Sequence, residues 1–133
     1  MMDAVIAAGE RLAEALRAEN DALAALDLTR AAAMATRKMQ ASDAFAAATA
    51  AAARNPTPTP GVTRAAAESL AASLADLGQE NRRLLETAIA LQSRVIETIA
   101  GVARPLTAAP GYGRGGRSRA PAQAVPLTLA TRA

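Results

Sequence analysis

Large aliphatic side chains recur every seven residues between Leu70 and Val102, and this periodicity constrains the fold more than any other feature of the chain. One file contains Leu70, Leu77, Leu84 and Leu91, and a second file, offset by four, contains Leu74, Asn81, Ala88, Val95 and Val102. On a helix with 3.6 residues per turn the two files merge into one stripe. Four further residues widen it: Leu85, Ile89, Ile96 and Ile99. The apolar face is broader than the seam of a two-stranded coiled coil, so we expect more than one helix to pack on it.

Two other segments are typical of helices. Apolar positions from Val5 to Leu26 alternate in steps of four and three, which indicates an amphipathic helix over about residues 3–27. The next segment, about 29–53, is rich in alanine, which favours helix by propensity rather than by pattern. Asp27 is a candidate N-cap for it, although the two segments could also form one continuous helix. Three prolines within residues 55–61 predict a linker before the long helix of about 62–103.

The predicted fold class is all-α, either an antiparallel helical hairpin or an open three-helix bundle with one long C-terminal helix. We expect residues 1–103 to form the helical domain, with residues 104–133 as a disordered tail rich in Arg, Gly and Pro. The core must rest on few bulky side chains, because the chain has 39 alanines, one Phe, one Tyr and no Trp.

The composition also argues against several classes of function. The chain contains neither Cys nor His, which are the usual thiol nucleophile, zinc ligands and general base, and its carboxylates lie on solvated helical faces. We therefore expect neither an enzyme nor a cofactor or metal protein. No apolar run is long enough for a membrane span, and we expect no signal peptide and a soluble, cytoplasmic protein.

The positive charge of the chain is confined to its C-terminal part. Residues 1–103 carry 10 basic and 12 acidic side chains, whereas residues 104–133 carry five arginines and no acid. The segment from Gly111 to Arg119 combines arginines, glycines and Tyr112, so it could bind nucleic acid through phosphates and one stacking ring. A solubilising tail or a protein-docking segment would explain the same composition, and we expect nucleic acid to be the less favoured partner.

Asn81 is a polar residue inside the apolar stripe. Such a residue usually fixes the register of packed helices at some cost in stability. The alternative is that Asn81 anchors the backbone of a partner.

Several short motifs together resemble the FlgN family, the cytoplasmic export chaperones of the bacterial flagellum. They are Glu19 to Leu23 followed by Ala25-Leu26-Asp27, then Lys38, then Glu80-Asn81-Arg82-Arg83-Leu84-Leu85 with Leu91 beyond, and finally Tyr112-Gly113-Arg114-Gly115-Gly116. The alanine-rich middle, the proline-rich linker and the long tail depart from the family pattern or carry no signal.

The resemblance implies an α-helical chaperone that binds C-terminal helical segments of hook–filament junction proteins. It would prevent their premature self-association and deliver them to the type III export gate. On this basis the client-binding residues are Leu84, Leu85, Ile89, Leu91, Ile96 and Ile99, and Tyr112 docks at the export gate. Two alternatives remain: a structural coiled-coil oligomer, in which the broad apolar face drives self-association, and a helical protein whose arginine-rich tail binds nucleic acid.

Overall fold

The computed structural model describes residues 1–103, which form three α-helices and, within that range, no strand. Helix α1 spans Met2–Ala24, α2 spans Leu28–Arg54 and α3 spans Gly61–Ala103. The predicted all-α class with a long C-terminal helix is confirmed. With 43 residues, α3 is about 65 Å long at 1.5 Å per residue. The predicted tail of residues 104–133 lies outside the described residues.

Helices α1 and α2 are separate, and a tight turn at Ala25–Asp27 divides them. Leu26 has a φ of 59°, in the left-handed region that ends many helices. Its N–H donates to Leu23 O at 3.0 Å, and the N–H of Asp27 donates to Ala22 O at 2.9 Å. These two bonds form a Schellman motif with leucine in the place usually taken by glycine. Asp27 then caps α2 by accepting a hydrogen bond from the Arg30 N–H at 3.1 Å.

Side-chain contacts fix the directions of the helices within the first of two compact units, Met1–Leu84. Gly9 of α1 lies beside Phe45 of α2 and Leu70 of α3, and Glu19 bonds to Lys38 and Asn81. From Gly9 to Glu19 along α1, the residue numbers of the contacting residues therefore decrease on α2 and increase on α3. Helix α2 runs antiparallel to α1, and the first part of α3 runs parallel to α1. The second unit begins at Leu85.

The buried apolar residues of the first unit are mostly alanine. Leu16 and Leu23 of α1 are the two larger members, and the rest are Ala8, Ala13, Ala15, Ala22 and Ala31. Small side chains allow the helix backbones to approach closely. At Gly9 an added Cβ would lie 2.7 Å from Leu70 Cδ2 and 3.1 Å from Phe45 Cε1, so a side chain at this position would require both neighbours to shift.

Candidate functional site

The predicted client-binding residues lie on α3 with increasing exposure toward its C-terminal end. Leu84, Leu85, Ile89 and Leu91 are half-buried. Ile96 and Ile99 are 55% and 63% exposed, and their neighbours in the second heptad file, Val95 and Val102, are 50% and 80% exposed. We call Val95, Ile96, Ile99 and Val102 the aliphatic surface. Only Ile96 and Ile99 belong to the client-binding residues that the family resemblance implies, although both valines belong to the predicted stripe.

The aliphatic surface lies within the second unit, on the part of α3 that follows Leu85. Large exposed aliphatic side chains clustered on one helix face are unusual, because each would gain about 1.5–3 kcal/mol on full burial. Steps of four and three residues connect Val95, Ile99 and Val102. Ile96 lies three residues before Ile99, so all four side chains share one side of the helix. The arrangement is that of the apolar face of a helix that pairs with another amphipathic helix.

A buried cluster of polar side chains joins the three helices of the first unit. We call it the polar network, and it comprises Glu19 and Asn20 of α1, Lys38 of α2 and Asn81 of α3, all of them buried. The Lys38 ammonium donates to Glu19 Oε1 at 2.9 Å and to Asn81 Oδ1 at 3.1 Å.

The amide of Asn81 completes the polar network. Its Nδ2 donates to Glu19 Oε1 at 2.7 Å and to Asn20 Oδ1 at 2.8 Å. Asn20 Nδ2 in turn donates to the Leu77 carbonyl oxygen at 3.3 Å. Asn81 is 2% exposed and bonds to both other helices, which agrees with a role in helix register and argues against the alternative of an anchor for a partner's backbone. Glu19 Oε2 is buried and has no hydrogen-bond partner among residues 1–103.

Sequence analysis did not predict this network. Glu19 and Asn81 both occupy positions of an apolar stripe. Those positions were the signal in the sequence that the two polar side chains face inward. Lys38 gave no such signal, because the alanine-rich segment of α2 has no apolar periodicity that would place Lys38 on an inward face.

The other charged side chains of residues 1–103 lie at the surface. Arg83 binds Glu80 through two hydrogen bonds, at 2.9 and 2.7 Å, on the exposed side of α3. These hydrogen bonds lower the pKa of the Glu80 carboxyl and raise the pKa of the Arg83 guanidinium. An open groove of about 440 Å³ separates α1 from the first part of α3, and none of the predicted site residues lines it.

Three further observations concern the predicted functions. Tyr112, the predicted export-gate contact, lies outside the described residues. Within residues 1–103 there is no group of three or more His, Cys, Asp or Glu side chains that could hold a metal ion. No helix in that range is both long and apolar enough to cross a membrane.

The fold and these two features define an α-helical protein with a polar network in its first unit and an exposed aliphatic surface in its second. Comparison with protein-family models, with curated proteins and with solved structures finds no match for this chain.

Proposed function

We propose that this protein is a chaperone that binds an amphipathic helical segment of a client protein on the C-terminal part of α3. The observation that carries the proposal is the aliphatic surface, whose four side chains are between 50% and 80% exposed. Partial burial of four such side chains by a partner contributes several kcal/mol, which suits a reversible complex. The half-buried residues Leu85, Ile89 and Leu91 extend the same stripe toward the N-terminus of the helix.

The client class comes from the resemblance to the FlgN family. Hook–filament junction proteins have helical termini that associate with one another, and a chaperone that covers those termini keeps them apart until export. Under this proposal the type III export gate is the second partner, and Tyr112 is the residue that contacts it. A partner that binds through aliphatic contacts should bind with little dependence on salt, because charge screening leaves apolar burial nearly unchanged.

A pair of aspartate variants tests the client site. Ile99 lies at the centre of the stripe, and Ala90, nine residues earlier and also exposed, lies half a turn away on the opposite side of α3. We expect Ile99→Asp to abolish the capture of hook–filament junction proteins from the cytoplasm of flagellated cells. Ala90→Asp introduces the same charge into the same helix and should capture them like the parent.

The measurement is a pull-down with the full chain, quantified by mass spectrometry, after circular dichroism has established equal helicity of the two variants. Loss of capture in both variants would show that a negative charge on either side of α3 blocks capture, and would refute the assignment of the client site to the aliphatic surface. Unchanged capture by Ile99→Asp, or no enrichment of junction proteins by the parent, would refute the proposed function.

The aliphatic surface also favours a second candidate, a structural oligomer formed by several copies of the chain. Such an oligomer would bury the same four side chains against each other. Sedimentation of the parent and of Ile99→Asp distinguishes the two functions. A mass that rises with concentration for the parent alone, without any capture of junction proteins, would favour the oligomer.

A further inference from the structure

Helix α3 contacts the α1–α2 pair at two levels within the first unit. At the lower level Leu70 packs against Gly9 and Phe45. At the upper level, eleven residues further along α3, Asn81 enters the polar network. Together these contacts define the register of α3, meaning which residue of α3 lies beside which residue of the other two helices.

The leucine contact does not distinguish one register from another. Leucines repeat every seven residues along α3, so a shift by one heptad places Leu77 where Leu70 lies and Leu84 where Leu77 lies. The space beside Gly9 accepts the second leucine as well as the first. The hydrogen bond from Asn20 Nδ2 does not distinguish the registers either, because its acceptor is a backbone carbonyl and every helical residue provides one.

Asn81 behaves differently under the same shift. The residue seven positions later in its file is Ala88, and the residue seven positions earlier is Leu74. Neither side chain can accept from Lys38 or donate to Glu19 and Asn20. In a shifted register Lys38 and Asn20 would lose hydrogen bonds in a buried site, and unsatisfied buried polar groups are strongly unfavourable.

We propose that Asn81 selects the register of α3 on the α1–α2 pair, and that the register one heptad away is packed by equivalent leucines and is excluded by the polar network. The shift corresponds to seven residues, or about 10 Å along the helix. The register decides which residues of the stripe pack on the helix pair, and this inference does not depend on the proposed function.

Moving the asparagine by one heptad tests the proposal directly. In the double variant Asn81→Ala/Ala88→Asn the composition is unchanged, and the shifted register regains the hydrogen bonds of the polar network. The chain has no cysteine, so Ala50→Cys and Arg82→Cys can carry two spin labels at exposed positions of α2 and α3. Because α2 runs antiparallel to α3, the shift moves position 82 toward position 50. We therefore expect pulsed electron resonance to measure a label distance shorter by about 10 Å.

Two further variants complete the experiment. Asn81→Ala/Ala90→Asn has the same composition, but its asparagine is exposed and not a heptad from position 81, so it should not adopt the shorter distance as a single population. The single variant Ala88→Asn, which keeps Asn81, should populate both distances. The proposal is overturned if both variants that carry Ala88→Asn keep the label distance of the parent. It is also overturned if Asn81→Ala/Ala88→Asn loses helicity and Ala88→Asn shows only the label distance of the parent.

Discussion

Replacing Lys38 by methionine should destabilise the protein more than removal of any exposed charge in the first unit. The side chain of Glu19 is 2% exposed and that of Lys38 is 8% exposed, so both charges of this pair are out of water. Methionine has a similar length, no charge and a comparable helix propensity. The change therefore removes the ammonium and its two hydrogen bonds, to Glu19 Oε1 and Asn81 Oδ1, with little other disturbance.

The expected loss follows from what Glu19 retains. Among residues 1–103 the carboxylate without Lys38 keeps a single hydrogen-bond donor, Asn81 Nδ2, and no cation, and its Oε2 already has no partner there. Leaving one charge of a buried pair without its partner typically costs about 3–5 kcal/mol. The total free energy of unfolding of a natural domain is about 5–15 kcal/mol, so Lys38→Met should remove a large part of it.

Urea denaturation followed by circular dichroism measures this loss, and two variants make the assignment specific. Adding Glu19→Gln to Lys38→Met removes the uncompensated charge and should recover part of the lost stability. Arg83→Met removes an exposed cation whose partner, Glu80, is also exposed, so it should leave the denaturation midpoint within experimental error. The reasoning is refuted if Lys38→Met costs less than about 1 kcal/mol, or if Glu19→Gln lowers the stability of Lys38→Met further.

Three further predictions concern backbone positions, and chemical denaturation checks each of them. Gly78→Ala should raise the free energy of unfolding by about 0.5–1 kcal/mol, because alanine is the better helix former and nothing lies within 4 Å of its Cβ. Gly9→Ala should bring no such gain, since its Cβ would meet Leu70 and Phe45; an equal gain at both glycines would contradict the close packing. Asp27→Ala should lower stability by about 0.5–2 kcal/mol through loss of the N-cap of α2, and Asp27→Asn, which keeps an acceptor, should be nearly neutral. Leu26→Gly should raise stability by up to about 1 kcal/mol, because glycine adopts the left-handed conformation without strain; a loss would show that the exposed Leu26 side chain makes a stabilising contact.

Hydrophobic periodicity predicts α1 and α3, and alanine propensity predicts α2. It does not resolve the junction between α1 and α2, where the pattern continues to Leu26 and the left-handed residue is a leucine rather than the expected glycine. The cap at Asp27 was the better guide, because it depends on a local hydrogen bond to Arg30 that the sequence itself sets up.

The polar network shows where sequence reasoning stops. Three of its four residues have a local explanation: Asn81 is a polar residue in a stripe, Glu19 is another, and Lys38 is a cation on an alanine-rich helix. The burial of Lys38 depends on how closely the three helices pack, and the buried alanines of the first unit permit close packing. These tertiary features bring residues 19, 38 and 81 together, although 62 positions separate the first from the last.

The composition of the first unit explains why such a network is useful there. Alanines make a smooth helix surface with few knobs and holes, and the leucines of α3 repeat at one interval, so apolar packing alone allows several registers of similar free energy. A buried ion pair with an asparagine contributes little net stability, because desolvation offsets most of the attraction. It discriminates strongly between registers, however, because each wrong register removes the hydrogen bonds that Lys38, Glu19 and Asn20 make to Asn81. Specificity in this unit thus comes from the polar network, and stability comes from the apolar surface that the selected register buries.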